Sequence, residues 1–340
     1  MKAVVKQRMG DGFVELTDVP EPEVTPGSVI LAMGAAGICG TDVKILHGKF
    51  GGYVVPVVMG HEFAGTVESV GPGVSDISSG DRVVSETHAY VCNECVYCRS
   101  GRYNLCQKRK AFGYGTDGAF TKLVRVRKEI IHKLPDEIPM RDAALMEPLS
   151  VCLNALTRNS RISPGESVLI IGPGPIGLLC LQVAKLSGGR VTVVGTERNR
   201  QRLALATRLG AEGILTDAEL QSGIADGRLK SAFDAVVIAA GNATTFETAL
   251  LAARPAGKVI VVGEAVENAS FQMSLIERKN LTVQGSFSHY WPVWEDAISL
   301  VRRGAIDVHS LITHEYEISR WQEAFEMVES RVGIKVLLTP

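Results

Sequence analysis

Four cysteines fall within fifteen residues, as Cys92-x2-Cys95-x2-Cys98-x7-Cys106. Four thiolates in one loop suit a tetrahedral zinc ion in a closed structural site, and four sulfurs leave no position open for catalysis. Iron–sulfur clusters use similar spacings. Nothing else in the chain suggests electron transfer, so zinc is the preferred reading. A second set is dispersed: Cys39 in Gly37-Ile38-Cys39-Gly40-Thr41-Asp42, His61 and Glu62 after Gly60, and Glu147 in Met146-Glu147-Pro148. Each of these alone reads most simply as structural. Together, a cysteine, a histidine and one or two carboxylates would make a zinc site that water or substrate could also enter. Sequence spacing does not bring them together.

The third pattern is Gly172-Pro173-Gly174-Pro175-Ile176-Gly177, which follows an apolar run and opens a helical one. In that context it reads as a dinucleotide fingerprint rather than a structural turn. The first glycine makes the tight turn, the second lets backbone approach the pyrophosphate, and the third lets helix pack on strand. Glu197 lies twenty residues past Gly177. A carboxylate there would hold the adenosine ribose hydroxyls and repel a 2′-phosphate, which favours NAD over NADP. Arg198, Arg200 and Arg202 are the complication, since any of them could meet a phosphate. The plainer reading is a solvated helix start with Arg202 lying along the adenosine.

These groups need elements to carry them. The 340 residues exceed one ordinary core, so two domains are expected. Residues 1 to about 147 read as β-rich, with short apolar runs such as Ser28 to Met33, Phe63 to Val70 and Arg82 to Ser85 between Gly and Pro turns. Ala143 to Leu156 has helical spacing. Strands and helices then alternate. Strands are expected at Ser167–Ile171, Arg190–Val194, Phe233–Ala239, Lys258–Val262 and Leu281–Gly285. Helices are expected at Ile176–Ser187, Asn199–Leu209 and Thr244–Ala253, and later at Trp294–Arg302 and near Ser319–Ser330. Alternation with near-continuous apolar strands means a doubly wound parallel sheet.

Composition excludes other classes. The net charge is −1, with no basic field for nucleic acid or an anionic membrane. The basic runs Lys108-Arg109-Lys110 and Arg125 to Lys128 read as solvated surface. The N-terminus opens on a strand-like segment without an apolar signal region, and Gly172 to Pro175 interrupt the longest apolar stretch. A cytoplasmic protein is expected. Seven cysteines, an odd number, suit a reducing compartment. Cys152 and Cys180 fall on apolar helix faces and read as inert core thiols. His88, His132, His309 and His314 show no ligand spacing. His289, Tyr290, Trp291 and Trp294 cluster late in the chain; core and interface packing is the preferred reading of each, the alternative being that one or two line the pocket or a subunit contact.

Gly60-His61-Glu62 with Ala64-Gly65, the Cys39-Gly40-Thr41-Asp42 segment, the four-cysteine loop and the downstream glycine fingerprint occur together in this order. The chain resembles the medium-chain, zinc-containing alcohol dehydrogenase family over essentially its whole length. Glu62 after His61, and Glu147-Pro148-Leu149-Ser150, are most similar to the sorbitol and threonine dehydrogenase branches. The resemblance implies an α/β protein: a GroES-like catalytic domain, 1–150, completed by 290–340, around a Rossmann domain, 151–289. It implies a zinc-dependent, NAD-linked oxidation of a secondary alcohol, polyol or sugar alcohol to a ketone, NADP being the less favoured cofactor. It implies two zinc ions per subunit, the catalytic one on Cys39, His61 and Glu62 with Glu147 as fourth ligand or close neighbour. Cofactor contacts are implied at the glycine turn (Gly172, Gly174, Pro175, Ile176, Gly177), at Glu197 and Arg202, at Val262, Gly263 and Glu264, and at Ser286, Phe287 and Ser288. Thr41 would take the hydroxyl proton, and Asp42 would orient the loop or a zinc ligand.

The chain also departs from these relatives. Many of them carry a relay histidine five residues after the first cysteine, where this chain has Lys44. The relay then ends at Thr41 and the ribose, or uses Lys44; His47 has the wrong spacing to replace the histidine. Ile45 and Ser288 stand where sorbitol-type enzymes place a Tyr and an Arg against the polyol, so a less polar pocket is expected. A homotetramer or homodimer is implied. The alternatives are a zinc-free quinone or enone reductase of the same architecture, against which the metal-ligand residues argue, and a zinc-binding nucleic-acid or protein-binding module, against which charge and fingerprint argue.

Overall fold

The strand Ser28–Gly37, SVILAMGAAG, is rich in β-branched and small residues, and nearly all of its side chains are buried. It is the spine of the first of two units in a computed structural model that describes residues 1–240, 243–263 and 268–340. This unit comprises residues 1–147, 289–303 and 308–340. Its larger sheet runs Ile312–Glu317, Lys335–Thr339, Ser28–Gly37, Glu62–Val70, Arg82–Ser85, Ile131–Lys133, and Leu123–Arg127 also pairs with the spine. The pairs are antiparallel except for the first two strands, which are parallel to each other. A three-stranded sheet joins Val14–Asp18, Lys2–Lys6 and Val57–Val58. Val29, Leu31, Phe63 and Phe120 fill the core, and the helix Trp321–Glu329 adds Trp321, Ala324 and Phe325.

The second unit, residues 148–288 and 304–307, holds a six-stranded parallel sheet. Its order is Gly213–Thr216, Arg190–Gly195, Ser167–Ile171, Phe233–Ile238, Ala253–Val261, Thr282–Gly285. Numbered along the chain this is 3-2-1-4-5-6, the doubly wound dinucleotide-binding order, with its switch point beside Ser167–Ile171. The helix Pro175–Leu186 follows that strand, and Gly177 to Ala184 are buried along it. Gln182 exchanges two hydrogen bonds with the backbone of Asp307, which ties residues 304–307 to this unit.

The division between units falls at Glu147/Pro148, inside the helix Met146–Leu153, rather than after Ser150. Among the elements outside the sequence reading are the helices Gly40–Leu46 and Asp217–Ala225, the strands Gly213–Thr216, Ile312–Glu317 and Lys335–Thr339, and a π-helical turn, Asn154–Asn159. The late helix begins at Trp291, earlier than Trp294, because Tyr290 caps it in an extended conformation and Pro292 sits in its first turn.

Candidate active site and metal centres

The register of two strands assembles the dispersed set. Gly37 pairs opposite Glu62 at the end of the Ser28–Gly37 and Glu62–Val70 ladder. The chain leaves one strand through Cys39 and enters the other through His61, so both meet at the same sheet end. A Cβ on Gly37 would overlap the Glu62 carboxylate and the Lys335 side chain, so any larger residue would displace that pair. Gly60 turns the chain at φ +94°, and a Cβ there would run into the Phe120 ring. Cys39, His61 and Glu62 then offer ligand atoms within 4.8 Å of one another, with His61 and Glu62 buried.

Neighbouring groups set the orientation of the three. Cys39 caps the helix Gly40–Leu46, and its N–H donates to Asp42 Oδ2 at 2.8 Å. The other oxygen of the fully buried Asp42 lies 3.4 Å from His61 Nδ1. The two atoms approach as an ion pair without a hydrogen bond, and a carboxylate on that side favours a proton on Nδ1, which would leave Nε2 to ligate a metal. Glu62 pairs with the ammonium of buried Lys335, which also donates to the Ile38 carbonyl at 3.2 Å. Burial works against a charged Lys335, but the carboxylate of Glu62 and the charge of Cys39 outweigh it and hold its pKa above the usual value. Burial likewise opposes a charged His61, and Asp42 and Cys39 more than offset it. Burial works the other way on Glu62, raising its pKa against the opposing pull of Lys335. A thiolate, an imidazole and a carboxylate at one buried point are the donor set zinc accepts, so the residues fit the ion.

Glu147 is buried nearby but lies outside that triangle. Burial would raise its pKa; the His289 N–H it accepts at 3.1 Å, with the charges of His61 and Lys335, brings it below the usual carboxylate value. Thr41 and Lys44 are half-buried on the Gly40–Leu46 helix. Ile45 is fully buried in the hydrophobic core, which corrects its placement as a pocket wall: its influence on a substrate is through packing. His47 is tied at the surface to Asp11 at 2.8 Å and Glu329 at 2.5 Å.

The four-cysteine loop closes on itself. Cys92 Sγ lies 3.8 Å from Cys98 Sγ and 3.6 Å from Cys106 Sγ. A zinc–sulfur distance of about 2.3 Å gives a tetrahedron with edges of roughly 3.8 Å, so these separations fit the ion. Backbone N–H groups of Cys92, Cys95 and Cys98 donate to the sulfurs of Cys106, Cys92 and Cys95. The backbone N–H groups of Glu94 and Cys95 bring the pKa of the Cys92 thiol down to about 6.

In the second unit the expected cofactor residues follow the carboxyl ends of four parallel strands: Gly172 after Ile171, Glu197 after Gly195, Val262 after Val261 and Ser286 after Gly285. That is where open α/β sheets bind ligands. Gly172 has φ +107° and a Cβ there would strike Ala240; a Cβ on Gly177 would strike the Gly172 carbonyl. A Cβ on Gly174 would meet nothing within 4 Å, so its space is open to a phosphate. Pro175 opens the helix with Ile176 beside it, and its N-terminus faces the same turn. Exposed Glu197 is paired with Arg200 at 2.6 Å, and Arg202 is half-buried on the helix Arg200–Arg208. Val262 and Gly263 both donate backbone N–H groups to Ile238, which leaves no room for a Cβ on Gly263 against Ala239. Ser286 Oγ accepts from Asn159 Nδ2 at 2.9 Å, Phe287 is exposed, and Ser288 adopts φ +58° while its carbonyl accepts from Asn154. Glu264 lies outside the described residues.

Sequence reasoning passed over one cluster. Glu86, His88 and His289 are buried with ligand atoms within 4.8 Å of one another. His88 lacked ligand spacing because its partner His289 is 201 residues away. Arg109 and Arg127, read as solvated, turn inward to the ring and the carbonyl of His88. Cys152 and Cys180 are buried, as expected of core thiols.

Two family descriptions match the chain: an alcohol dehydrogenase GroES-like domain over residues 25–136 and a zinc-binding dehydrogenase over residues 175–303. It is 37% identical to a D-arabitol-phosphate dehydrogenase of Enterococcus avium, over 99% of this chain and 97% of that one. It is 38% identical to a sorbitol dehydrogenase of Halalkalibacterium halodurans, over 100% and 99%. Among solved structures, a protein described as a zinc-binding dehydrogenase of Sinorhizobium meliloti 1021, bound to NADP, superimposes with a TM-score of 0.91 at 30% identity, over 100% and 99% of the two chains.

Proposed function

This chain belongs to the medium-chain, zinc-containing alcohol dehydrogenases, and from that premise we propose that it moves a hydride between a secondary alcohol of the polyol or sugar-alcohol class and NAD. The observation that carries the reading is the convergence of Cys39, His61 and Glu62 on one buried point. A zinc ion held by these groups would supply Lewis acidity, lowering the pKa of a hydroxyl brought to it. Asp42 favours the ligating tautomer of His61, and Lys335 balances the charge of Glu62. Glu147 serves beside the metal or as its fourth ligand. Thr41 accepts the hydroxyl proton and passes it outward. Lys44 stands where relatives carry a histidine, so the path ends at Thr41 and the cofactor ribose or runs on through Lys44.

Bound NAD supplies the hydride acceptor, and the second unit's residues hold it. The Gly172–Gly177 turn and the helix N-terminus take the pyrophosphate. Glu197 would take the ribose hydroxyls, Arg202 would lie along the adenosine, and the Val262–Gly263 and Ser286–Ser288 segments would hold the nicotinamide half. The Cys92 to Cys106 loop holds a second, structural zinc. No helix among the described residues is long and apolar enough to cross a membrane. Seven cysteines, none of them in a disulfide, suit the cytoplasm, and a homotetramer or homodimer fits the family.

The test is absorbance of reduced cofactor in zinc-replete enzyme, with NAD and NADP in parallel against polyols, polyol phosphates, threonine and simple secondary alcohols. Turnover with NAD on one structural group is expected. Cys39→Ala should abolish turnover and remove one zinc; full activity in that variant would sink the assignment. Turnover with NADP alone would mean that Arg198, Arg200 and Arg202 override Glu197.

A further inference from the structure

Glu86, His88 and His289 resemble a third metal site, but their hydrogen bonds exclude one. Arg109 Nε donates to His88 Nδ1 at 2.7 Å, and a guanidinium can only donate. The ring proton therefore sits on Nε2, which donates to the His289 carbonyl at 2.8 Å. Neither nitrogen keeps a lone pair for an ion. The cluster is a rigid hydrogen-bonded support, and its far end reaches Glu147.

The same logic fixes His289. Trp294 Nε1 donates to His289 Nδ1 at 2.8 Å, and an indole can only donate. In the neutral ring the proton is then on Nε2, 3.1 Å from Glu147 Oε1, with Thr87 Oγ1 3.3 Å from the same nitrogen. His289 and Trp294 are buried, and their rings meet edge-on at 5.0 Å, so neither the position nor the tautomer is free to change. We infer that His289 is a positioning residue, whose Trp294-fixed tautomer aims an N–H at Glu147 and holds that carboxylate beside the Cys39, His61 and Glu62 site. The inference rests on Glu147 acting at that site.

The test uses full-length enzyme with cobalt(II) exchanged at the Cys39 site, read by its visible absorption, with kcat, KM and zinc retention measured alongside. His289→Leu deletes the N–H. His289→Gln restores a donor at the place of Nε2. Trp294→Phe removes the indole N–H that fixes the tautomer, together with part of the ring that stacks on His132. In His289→Leu the cobalt spectrum should shift and kcat and metal retention should fall about 10- to 100-fold, the usual cost of losing a ligand's hydrogen-bond partner, with KM for NAD unchanged. His289→Gln should recover most of the loss, and Trp294→Phe should fall between. An unchanged spectrum with kcat within about twofold in His289→Leu, or equal losses in Leu and Gln, overturns the inference. If His289→Leu does not fold, the Gln and Trp294→Phe variants decide: wild-type behaviour in Trp294→Phe overturns it. Glu147→Gln separates the two layers, because a silent Glu147→Gln sinks the role of Glu147 itself, whereas a damaged Glu147→Gln with a silent His289→Leu sinks only the role of His289.

Discussion

Asp42 shows how one side chain serves two ends of the site. One oxygen caps the helix that carries Cys39, and the other faces His61. Asp42→Asn should keep the cap, through its carbonyl, yet weaken the hold on the His61 tautomer. Zinc retention at the Cys39 site should fall about 10- to 100-fold, with the helix content by circular dichroism unchanged; competition against a chelator measures it, and wild-type retention would show the contact is idle. The residue types at this site were legible in the sequence, but their meeting was not. Cys39 and His61 converge because Gly37 pairs with Glu62, and register is a property of the folded ladder. His289 was visible but read as packing, since Glu147, 142 positions away, gives it its meaning. Ile45 was misplaced because family position alone cannot say that a side chain turns into the core.

At the scale of elements, the strand Ile131–Lys133 is clamped to the helix Trp291–Arg302 by one imidazole. His132 Nδ1 meets Glu295 at 2.5 Å, Nε2 lies 3.4 Å from Glu86, and the ring lies tilted 3.9 Å from Trp291 and stacks on Trp294 at 5.4 Å. Burial opposes its charge, yet the bonds to Glu295 and Glu86 raise its pKa. Its bond to His132 lowers the pKa of Glu295. The folded state therefore binds the His132 proton more tightly than the unfolded chain does. That stabilisation is complete below the unfolded histidine pKa and fades as pH rises through the folded one. The Glu295 share is present above the unfolded carboxylate pKa and fades as pH falls through its lowered folded value. Wild type should exceed His132→Gln in urea stability by about 1 kcal/mol near pH 6, a charged hydrogen bond discounted for the exposure of Glu295. The gap should narrow in alkali; one constant from pH 6 to 9 would refute the clamp. Such long-range clamps leave no periodic trace. The parallel strands were legible because burial on both faces makes them continuous apolar runs. Gly213–Thr216 was missed because it is half-buried at the sheet edge and lacks such a run.

Across the whole molecule, the alternation of strands and helices announced the doubly wound unit, while the return of Lys335–Thr339 to pair with the Ser28–Gly37 strand had no local signal. The two zinc sites should also differ in what they do for the chain. Around Cys39 the fold is a packed core, with Val29, Leu31 and Phe63 buried, and it should stand without metal. The helix Val96–Arg99 buries no residue at all, and Val96 is 71% exposed. Hydrophobic burial cannot order that helix, so there sulfur ligation is the main hold, while Tyr103 anchors the later part of the loop through Glu86. Burial and its neighbouring cysteines push the Cys98 thiol up to about 12, so it must give up a proton to bind zinc, and affinity falls as the medium is acidified. Cys39→Ala should therefore lose one zinc and all turnover while the loop resists protease. Cys98→Ser should lose the other zinc and open the loop to cleavage between Cys92 and Cys106, with the Cys39 site still loaded in the intact fraction. Metal analysis with limited proteolysis reads both variants. If Cys98→Ser stays zinc-replete and protease-resistant, the four sulfurs do not hold the loop; if both variants lose both ions, the sites are not independent.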